Sequence, residues 1–498
     1  MLHPLLFLHR WLGILVGLVM TIWCLSGFVM MYSPYPRLEP QEQLRGLAPL
    51  QLSLDISWDQ TELADDMLLS SVRVEQMGTR AVLRATPAAE PGPASPQMRA
   101  KPITIDLATG RILENLAAQD ALELGRGFGE RFGIKGDALR AARIQIDQWT
   151  VQTARRHQPL YRVDYADGAS VYIAGSGEVV QQTTRSERFW GWLGAVPHWL
   201  YPTLLRQDAA LWSQVVIWTS LLGCFLSATG LWLGIARLRR HKKGRLGSPY
   251  RGLWWWHHMT GLLFGVLTLT WVASGLLSMN PWGLFESNDK PAERVRLAGP
   301  QRWGDLRTAL GTIDALPAGT VRLETAPLGD TLFLAAVNAS GTRIRINADG
   351  APSPLTQDEL SAALANGPGI TALDLLHGHD AYYYAHRDPA PLPVWRAVLA
   401  DAQQTRLYID PQTGRVLRAF DGKARAYRWL MNGLHSLDFP GLHARPAWDL
   451  VVLPLLAMVT LVCATGTWMG ISGARRDLRR LNTRRRHLPQ ARLQGVKP

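Results

Sequence analysis

His9-Arg-Trp-Leu-Gly-Ile-Leu-Val-Gly17 and His257-His-Met-Thr-Gly-Leu-Leu-Phe-Gly265 are one pattern written twice, 248 residues apart. In each, a histidine is followed by glycine four and eight residues on. Helical spacing puts those three positions on one face. Both stretches sit in long apolar runs. Residues 11–32, 209–236 and 450–474 contain no charge, and 252–285 has only His257 and His258 as titratable groups. A bilayer core of about 30 Å takes roughly 20 apolar residues at 1.5 Å each. Four membrane spans are therefore expected. Core helices of a soluble protein fit poorly, because they are shorter and keep a polar stripe. The first run is too long for the apolar part of a cleaved signal peptide, and Phe28-Val-Met-Met-Tyr32 offers no small-residue cleavage site.

The repetition extends beyond the two histidine patterns. Trp23 matches Trp271, and Ser26-Gly27 matches Ser274-Gly275. Ahead of the second and fourth runs, His198-Trp-Leu-Tyr-Pro202 matches His435-Ser-Leu-Asp-Phe-Pro440. Within those runs Trp212 matches Trp448, and Ala228-Thr-Gly-x-Trp232-x-Gly234 matches Ala464-Thr-Gly-x-Trp468-x-Gly470. The chain reads as two copies of one unit: a span out, an external domain, a span back. Copies in the same orientation are parallel repeats, related by an axis along the membrane normal.

The chain has 498 residues, a net charge of +13 and a mean hydropathy of −0.03, averages that suggest a basic soluble protein. Position gives a different meaning. Arg10, residues 237–252 and residues 473–498 together carry +16, and everything else carries −3. Short basic loops mark the cytoplasmic side. The N-terminus, the 237–252 loop and the C-terminus are then expected inside, with both large domains outside. A nucleic-acid partner needs its basic patch on a folded domain, and neither large domain is basic. The three cysteines all lie in the apolar runs, so no disulfide or Cys-based metal framework is expected. The absence of C-x-x-C-H excludes c-type haem attachment.

The expected organisation is an integral membrane α-helical protein: four transmembrane helices in two parallel repeats, with two external α+β domains. Residues 1–36 hold the first helix and 37–190 the first external domain. Residues 191–238 hold an interfacial segment and the second helix, and 239–252 the basic loop. The third helix takes 253–285 and the second external domain 286–428. Residues 429–473 hold an interfacial segment and the fourth helix, and 474–498 the basic tail. Four hairpins are expected outside. Ile103-Thr-Ile-Asp-Leu-Ala-Thr-Gly-Arg-Ile112 resembles Leu407-Tyr-Ile-Asp-Pro-Gln-Thr-Gly-Arg-Val416, with looser copies at 171–179 and 344–350. Helices are expected at 117–124 and 357–365, giving two small α+β modules per domain.

Of thirteen histidines, only His9, His257, His198 and His435 occupy matched positions. They form one pair at the inner end of the spans and one at the outer end. An imidazole at membrane depth is costly unless it is used. Paired imidazoles from facing helices can hold a haem iron axially. Gly13, Gly17, Gly261 and Gly265 would leave room along the helices for a flat macrocycle, with Thr229-Gly230 and Thr465-Gly466 opposite. The same small-residue spacing also serves plain helix packing. His258 competes with His257 as the inner ligand, and the gapless match to His9 favours His257. Ser26-Gly27 and Ser274-Gly275 lie about 26 Å farther along the spans, near His198 and His435. Arg10 inside and Arg188, Arg206 and Arg445 outside could meet propionates. His377-Gly-His379-Asp380 with His386 could hold a metal or substrate, although a polar loop before a Tyr382–Tyr384 strand accounts for it more simply. Gly125-x-Gly127-x-Gly129 has the wrong spacing for a dinucleotide site.

The chain resembles the PepSY-associated transmembrane family, ferric-siderophore reductases included. The resemblance rests on Leu8-His-Arg-Trp-x-Gly13, the matching His257 span and the Ile-Asp-x-x-Thr-Gly-Arg hairpins. It implies four spans in a bacterial inner membrane, periplasmic PepSY-like domains, and two b-type haems ligated by His9 with His257 and His198 with His435. It also implies reduction of ferric iron bound to a siderophore or another periplasmic chelate. Oxygen ligands favour the harder ferric ion, so reduction loosens them. No flavin or nicotinamide domain is visible, so electrons would come from membrane quinol or a cytoplasmic reductase. The alternative is a non-enzymatic membrane protein whose PepSY modules bind or restrain periplasmic proteins. A transporter would want acidic or polar groups inside the spans, and the uncharged cores supply none.

Overall fold

The computed structural model describes residues 2–52, 58, 61–88, 102–113, 115–240, 246–285, 297–313, 315–329, 331–347, 349–386, 390–442 and 444–486. The chain forms two compact units. One holds Met1–Pro34, Trp192–Trp282 and Leu430–Pro498, and the other holds Tyr35–Gly191 and Gly283–Trp429.

The first unit is a helical bundle. Four of its helices are long and apolar enough to cross a membrane: His3–Met30, Ala209–Ala236, Leu253–Ser278 and Ala447–Arg480. They are the spans expected from the sequence, with three differences at their ends. The first helix starts at Leu2, so His9 lies two turns inside it rather than at its end. The third stops at Ser278 instead of reaching Phe285. Pro281 cannot donate to a helix, and Asn280 and Trp282 on either side of it take left-handed backbone (φ 45° and 58°). The fourth continues through Arg475, Arg476, Arg479 and Arg480 to Arg486. Arginine and leucine propagate a helix well, and long cationic stems reach water from a buried backbone. The second span is capped by Asp208, whose side chain accepts from Leu211 N at 3.0 Å. The first span neighbours the second and fourth, and so does the third. First and third therefore stand diagonally across the bundle.

The strands, in chain order, are β1 Leu68–Met77, β2 Arg80–Pro87, β3 Ile103–Asp106, β4 Ala138–Ile144, β5 Leu160–Tyr165, β6 Ser170–Ala174 and β7 Val179–Thr183. Two short strands, β8 Arg239–Arg240 and β9 Leu246–Gly247, pair in the basic loop of the bundle. Then come β10 Gln301–Arg302, β11 Thr320–Thr325, β12 Leu334–Asn338, β13 Arg343–Ile346, β14 Ile370–Leu376, β15 Val394–Leu399, β16 Arg406–Ile409 and β17 Val416–Phe420.

The second unit departs from the expectation of two separate domains. Its largest sheet runs β13-β12-β11-β1-β2-β3, with β10 also on β1. Strands from both halves of the chain thus share one sheet, joined where β1 pairs antiparallel with β11 (Glu75 opposite Arg322). An unpaired β1 would present a row of open backbone groups, and β11 closes that edge. Under the sheet, Trp303 is fully buried among Leu69, Val74, Leu83 and Ile105. The other two sheets, β4-β5-β6-β7 and β14-β15-β16-β17, are antiparallel. Each has its own helix, Ala118–Phe132 and Gln357–Ala365. Phe128 packs on Val163 and Ile173 in the first, and Leu360 and Leu364 pack with Leu407 and Ile409 in the second.

The repeated hairpin motif forms the same turn twice. Asp106 N donates to Arg111 O and Gly110 N to Asp106 O; Asp410 N donates to Arg415 O and Gly414 N to Asp410 O. Both glycines have positive φ (70° and 73°), which explains the Thr-Gly spelling. Residues 382–384 do not form the expected strand; Tyr383 instead stacks on Tyr408, with ring centroids 4.9 Å apart.

Candidate functional site

At the end of the bundle nearest the basic loop, each matched histidine is seated by the Thr-Gly pair of a neighbouring span. Thr229 Oγ1 donates to Phe225 O and Leu226 O, so its lone pair faces His9 Nδ1, 3.4 Å away. On the other copy, His257 Nδ1 lies 3.1 Å from both Thr465 Oγ1 and Val462 O. A carbonyl can only accept, so that Nδ1 carries the proton and Nε2 carries the lone pair. A second hydrogen bond that fixes the tautomer is what orients a ligating imidazole. The glycines make the seat possible. A Cβ on Gly230 would stand 2.8 Å from His9 Cε1, and one on Gly466 would stand 2.8 Å from His257 Cε1.

These two histidines line one cavity of about 370 Å³. The four glycines expected to flank it all line it. They divide by role. A Cβ at Gly13 or Gly261 would meet nothing within 4 Å, so those two face open space. Gly17 and Gly265 are packing sites, where a Cβ would crowd Thr467 Oγ1 at 2.9 Å and Leu231 at 2.7 Å. The walls are apolar or small, and Arg10, Arg237 and Arg476 are the cations among the lining residues.

At the opposite end the arrangement is again doubled. His198 Nδ1 lies 2.9 Å from Trp23 O and 3.3 Å from Ser26 Oγ. His435 Nδ1 lies 3.2 Å from Trp271 O and 3.1 Å from Ser274 Oγ. Both rings therefore hold the same tautomer as His257. Each histidine sits on a short turn closed by a leucine in left-handed backbone, Leu200 (φ 50°) and Leu437 (φ 54°). Such a conformation is held only where the surroundings fix it. Here a tryptophan does so: Trp212 Nε1 donates to Trp199 O at 2.9 Å, and Trp448 Nε1 donates to Ser436 O at 2.7 Å. The ring centroids of His198 and His435 are 6.3 Å apart. Two imidazoles bound through Nε2 to one metal, at about 2 Å per bond, have centroids roughly 6 Å apart.

Between the two ends lies an apolar layer of Val16, Met20, Leu226, Val459 and Cys463, with Trp23 and Trp271 packed against it.

The other sequence candidates lie in different surroundings. His258 uses both nitrogens, Nδ1 with Ser248 Oγ and Nε2 with Gly234 O, each at 2.8 Å. It ties the basic loop to the second span. Both histidines line the cavity, and His257 is the one that is bonded through Nδ1 only. Arg188 lies in the sheet unit, donating to Thr183 and to Gly168 O. Arg206 stacks on Trp212 and Arg445 on Trp448, at 4.6 and 5.4 Å from the ring centroids. His379 Nε2 is bonded to Ala390 O, and Asp380 accepts from Tyr382 N, Tyr383 N and Tyr408 OH. Asp147 does the same for Trp149 N, Thr150 N and Tyr172 OH in the other four-stranded module. Asp380 is thus a loop anchor with a counterpart, Asp147, in the other module. Among the described residues no group of three or more His, Cys, Asp or Glu could hold a metal ion.

The carbonyls of Trp23 and Trp271 and the indoles of Trp212 and Trp448 had no functional reading in the sequence, although their duplication marked them. Arg237 was legible only as topology charge.

A family model described as PepSY-associated TM region matches residues 6–343. No curated protein matches the chain.

Proposed function

This chain belongs to the PepSY-associated transmembrane family, and on that premise we propose that it is a dihaem b-type oxidoreductase. In this reading it sits in a bacterial inner membrane and carries electrons from the cytoplasmic side to the periplasm. Its acceptor there is ferric iron held by a siderophore or a similar chelate. Arg10, the basic loop and the tail, at +16 against −3 elsewhere, support the orientation.

One observation carries the reading. Four histidines matched by duplication form two pairs, and each Nδ1 is engaged by a threonine, a serine or a backbone carbonyl. That leaves Nε2 as the ligating nitrogen in all four. The surroundings fit the group. Gly13 and Gly261 open the cavity where a macrocycle would lie, and Arg10 and Arg237 keep a buried Nε without a partner there. His9 and His257 would hold one haem, and His198 and His435 the other. Haem supplies one-electron chemistry when bound. The residues of the chain set its terms: Thr229 and Thr465 orient the inner ligands, Trp23 and Trp271 orient the outer ones, and the apolar layer excludes water between them.

A reduced-minus-oxidised visible spectrum of the purified protein tests this. The expected result is b-type bands at two haems per chain, with ferric chelate reduced by the loaded protein. A colourless protein would overturn the reading and favour the non-enzymatic one, in which the modules restrain periplasmic proteins.

A further inference from the structure

The cavity beside His9 and His257 is unevenly charged. Three arginines line it, Arg10, Arg237 and Arg476, and no lining residue among those described is acidic. Arg10 Nη2 is paired with Asp477 at 2.7 Å. Its Nε is buried and without a hydrogen-bond partner, and so is the Nε of Arg237. Buried polar atoms are almost always satisfied, and each exception needs a cause. Two orphaned guanidinium donors on one apolar cavity call for an acceptor that arrives with the ligand.

Their placement breaks the duplication. Arg237 on the second span corresponds to Gly473 on the fourth. A Cβ at Gly473 would stand 3.1 Å from Arg10 Nη2. The glycine thus clears the space that the Arg10 guanidinium occupies. Arg10 in turn corresponds to His258, whose nitrogens are both bonded elsewhere. Instead of two copies of one cation, the cavity receives one arginine from the first span and a different one from the second. Each guanidinium keeps an Nε–H that can donate a charge-assisted bond to a carboxylate.

We infer that Arg237 and Arg10 form a two-point carboxylate clamp, so that the cavity selects a flat apolar ligand bearing two carboxylates on one edge and orients that edge toward the basic loop. This rests on the haem reading and deepens it, since it assigns the direction in which the macrocycle enters and a specificity-determining role to Arg237. Asp477 holds Arg10 in place through Nη2 and leaves its Nε–H without a partner.

The test is a titration of the full chain carrying His198→Ala and His435→Ala, which leaves the basic-end pair. Hemin and hemin dimethyl ester are added separately, and the Soret band is followed. The parent is expected to bind the diacid about 10–100-fold more tightly than the diester, as charge-assisted bonds of about 1.5–3 kcal/mol imply. Arg237→Gln should remove about tenfold or more of the affinity for hemin and leave the diester within about threefold. Equal weakening of both forms would make Arg237 a packing residue, and equal binding of both by the parent would leave the arginines to lipid phosphate; either overturns the clamp alone. A parent that takes up neither form, and shows no haem in the unsubstituted chain, overturns the haem reading itself. If Arg237→Gln lowers the helix content, Arg237→Lys carries the same comparison, with the charge kept and the Nε edge removed.

Discussion

At the residue scale, the site is a problem of which nitrogen bears the proton. His257 and His258 are adjacent, and their roles are opposite because their partners differ. A carbonyl and a threonine on Nδ1 leave the Nε2 lone pair of His257 available to the proposed haem, whereas His258 spends both nitrogens on Ser248 and Gly234. Replacing His257 by Ala should therefore remove one of two haems per chain, counted from the reduced spectrum. His258→Asn should leave both. Replacing Thr229 by Val keeps shape and removes the hydroxyl that faces His9 Nδ1. Lost outer-shell partners typically cost about 10–100-fold in metal affinity, so the inner haem should dissociate faster by a similar factor while the outer one is unchanged. The sequence offered His257 over His258 through its match to His9 alone; the hydrogen bonds supply the physical cause. Tautomers follow from neighbours on other spans, and those neighbours are hundreds of residues away.

At the element scale, the spans and hairpins follow from patterns with short range. A long uncharged run is a span whatever surrounds it, and Asp-x-x-Thr-Gly-Arg turns wherever glycine can take positive φ. The ends of the spans are less legible. The third stops early at an Asn-Pro-Trp corner, and the fourth runs on through arginines. The glycines of the first and third spans look equivalent in sequence and are not. Gly13→Leu or Gly261→Leu should fill open space, block haem uptake and leave the bundle folded, as judged by circular dichroism. Gly17→Leu should instead force Thr467 aside and lower the melting temperature of the haem-free protein. The short turns that hold His198 and His435 are elements that sequence matching found without explaining. Their left-handed leucines persist because an indole N–H from the following span locks the carbonyl just before each leucine. Trp212→Phe removes that bond at a cost of about 1–3 kcal/mol and should broaden the outer haem's spectrum without touching the inner one.

At the scale of the whole molecule, the two halves of the chain are joined by a buried ionic network in the shared sheet. Glu75 is 2% exposed and bonded by Arg84 from β2 and by Arg322 from β11, the latter at 2.9 Å. Arg84 also donates to Thr104 Oγ1 and Ser176 O. Burial pushes the Glu75 carboxyl up, and Arg84, Arg322 and Arg73 together outweigh it, holding the group at about 2. A carboxyl lowered on folding stabilises the native state above its unfolded value, near 4.5. That stabilisation is lost as pH falls through about 2. Glu75→Gln should destabilise the sheet unit by about 3–5 kcal/mol at neutral pH. In thermal melts of the full chain the gap to the parent should narrow steadily between about pH 4 and pH 2.

Four helices long and apolar enough to cross a membrane, histidines at matched positions and Thr-Gly hairpins were all legible along the chain. Those features depend on hydropathy, charge and local turn chemistry, which neighbouring residues carry along the chain. That strands from both halves of the chain share one sheet could be read only from the fold, because an open strand edge carries no label for its partner. The fold also sets which of two adjacent histidines keeps Nε2 unbonded, which glycines face open space, and that Arg237 stands beside a site as well as in a basic loop. Each of those depends on atoms that meet across the bundle or the sheet, where spacing along the sequence gives no measure of distance.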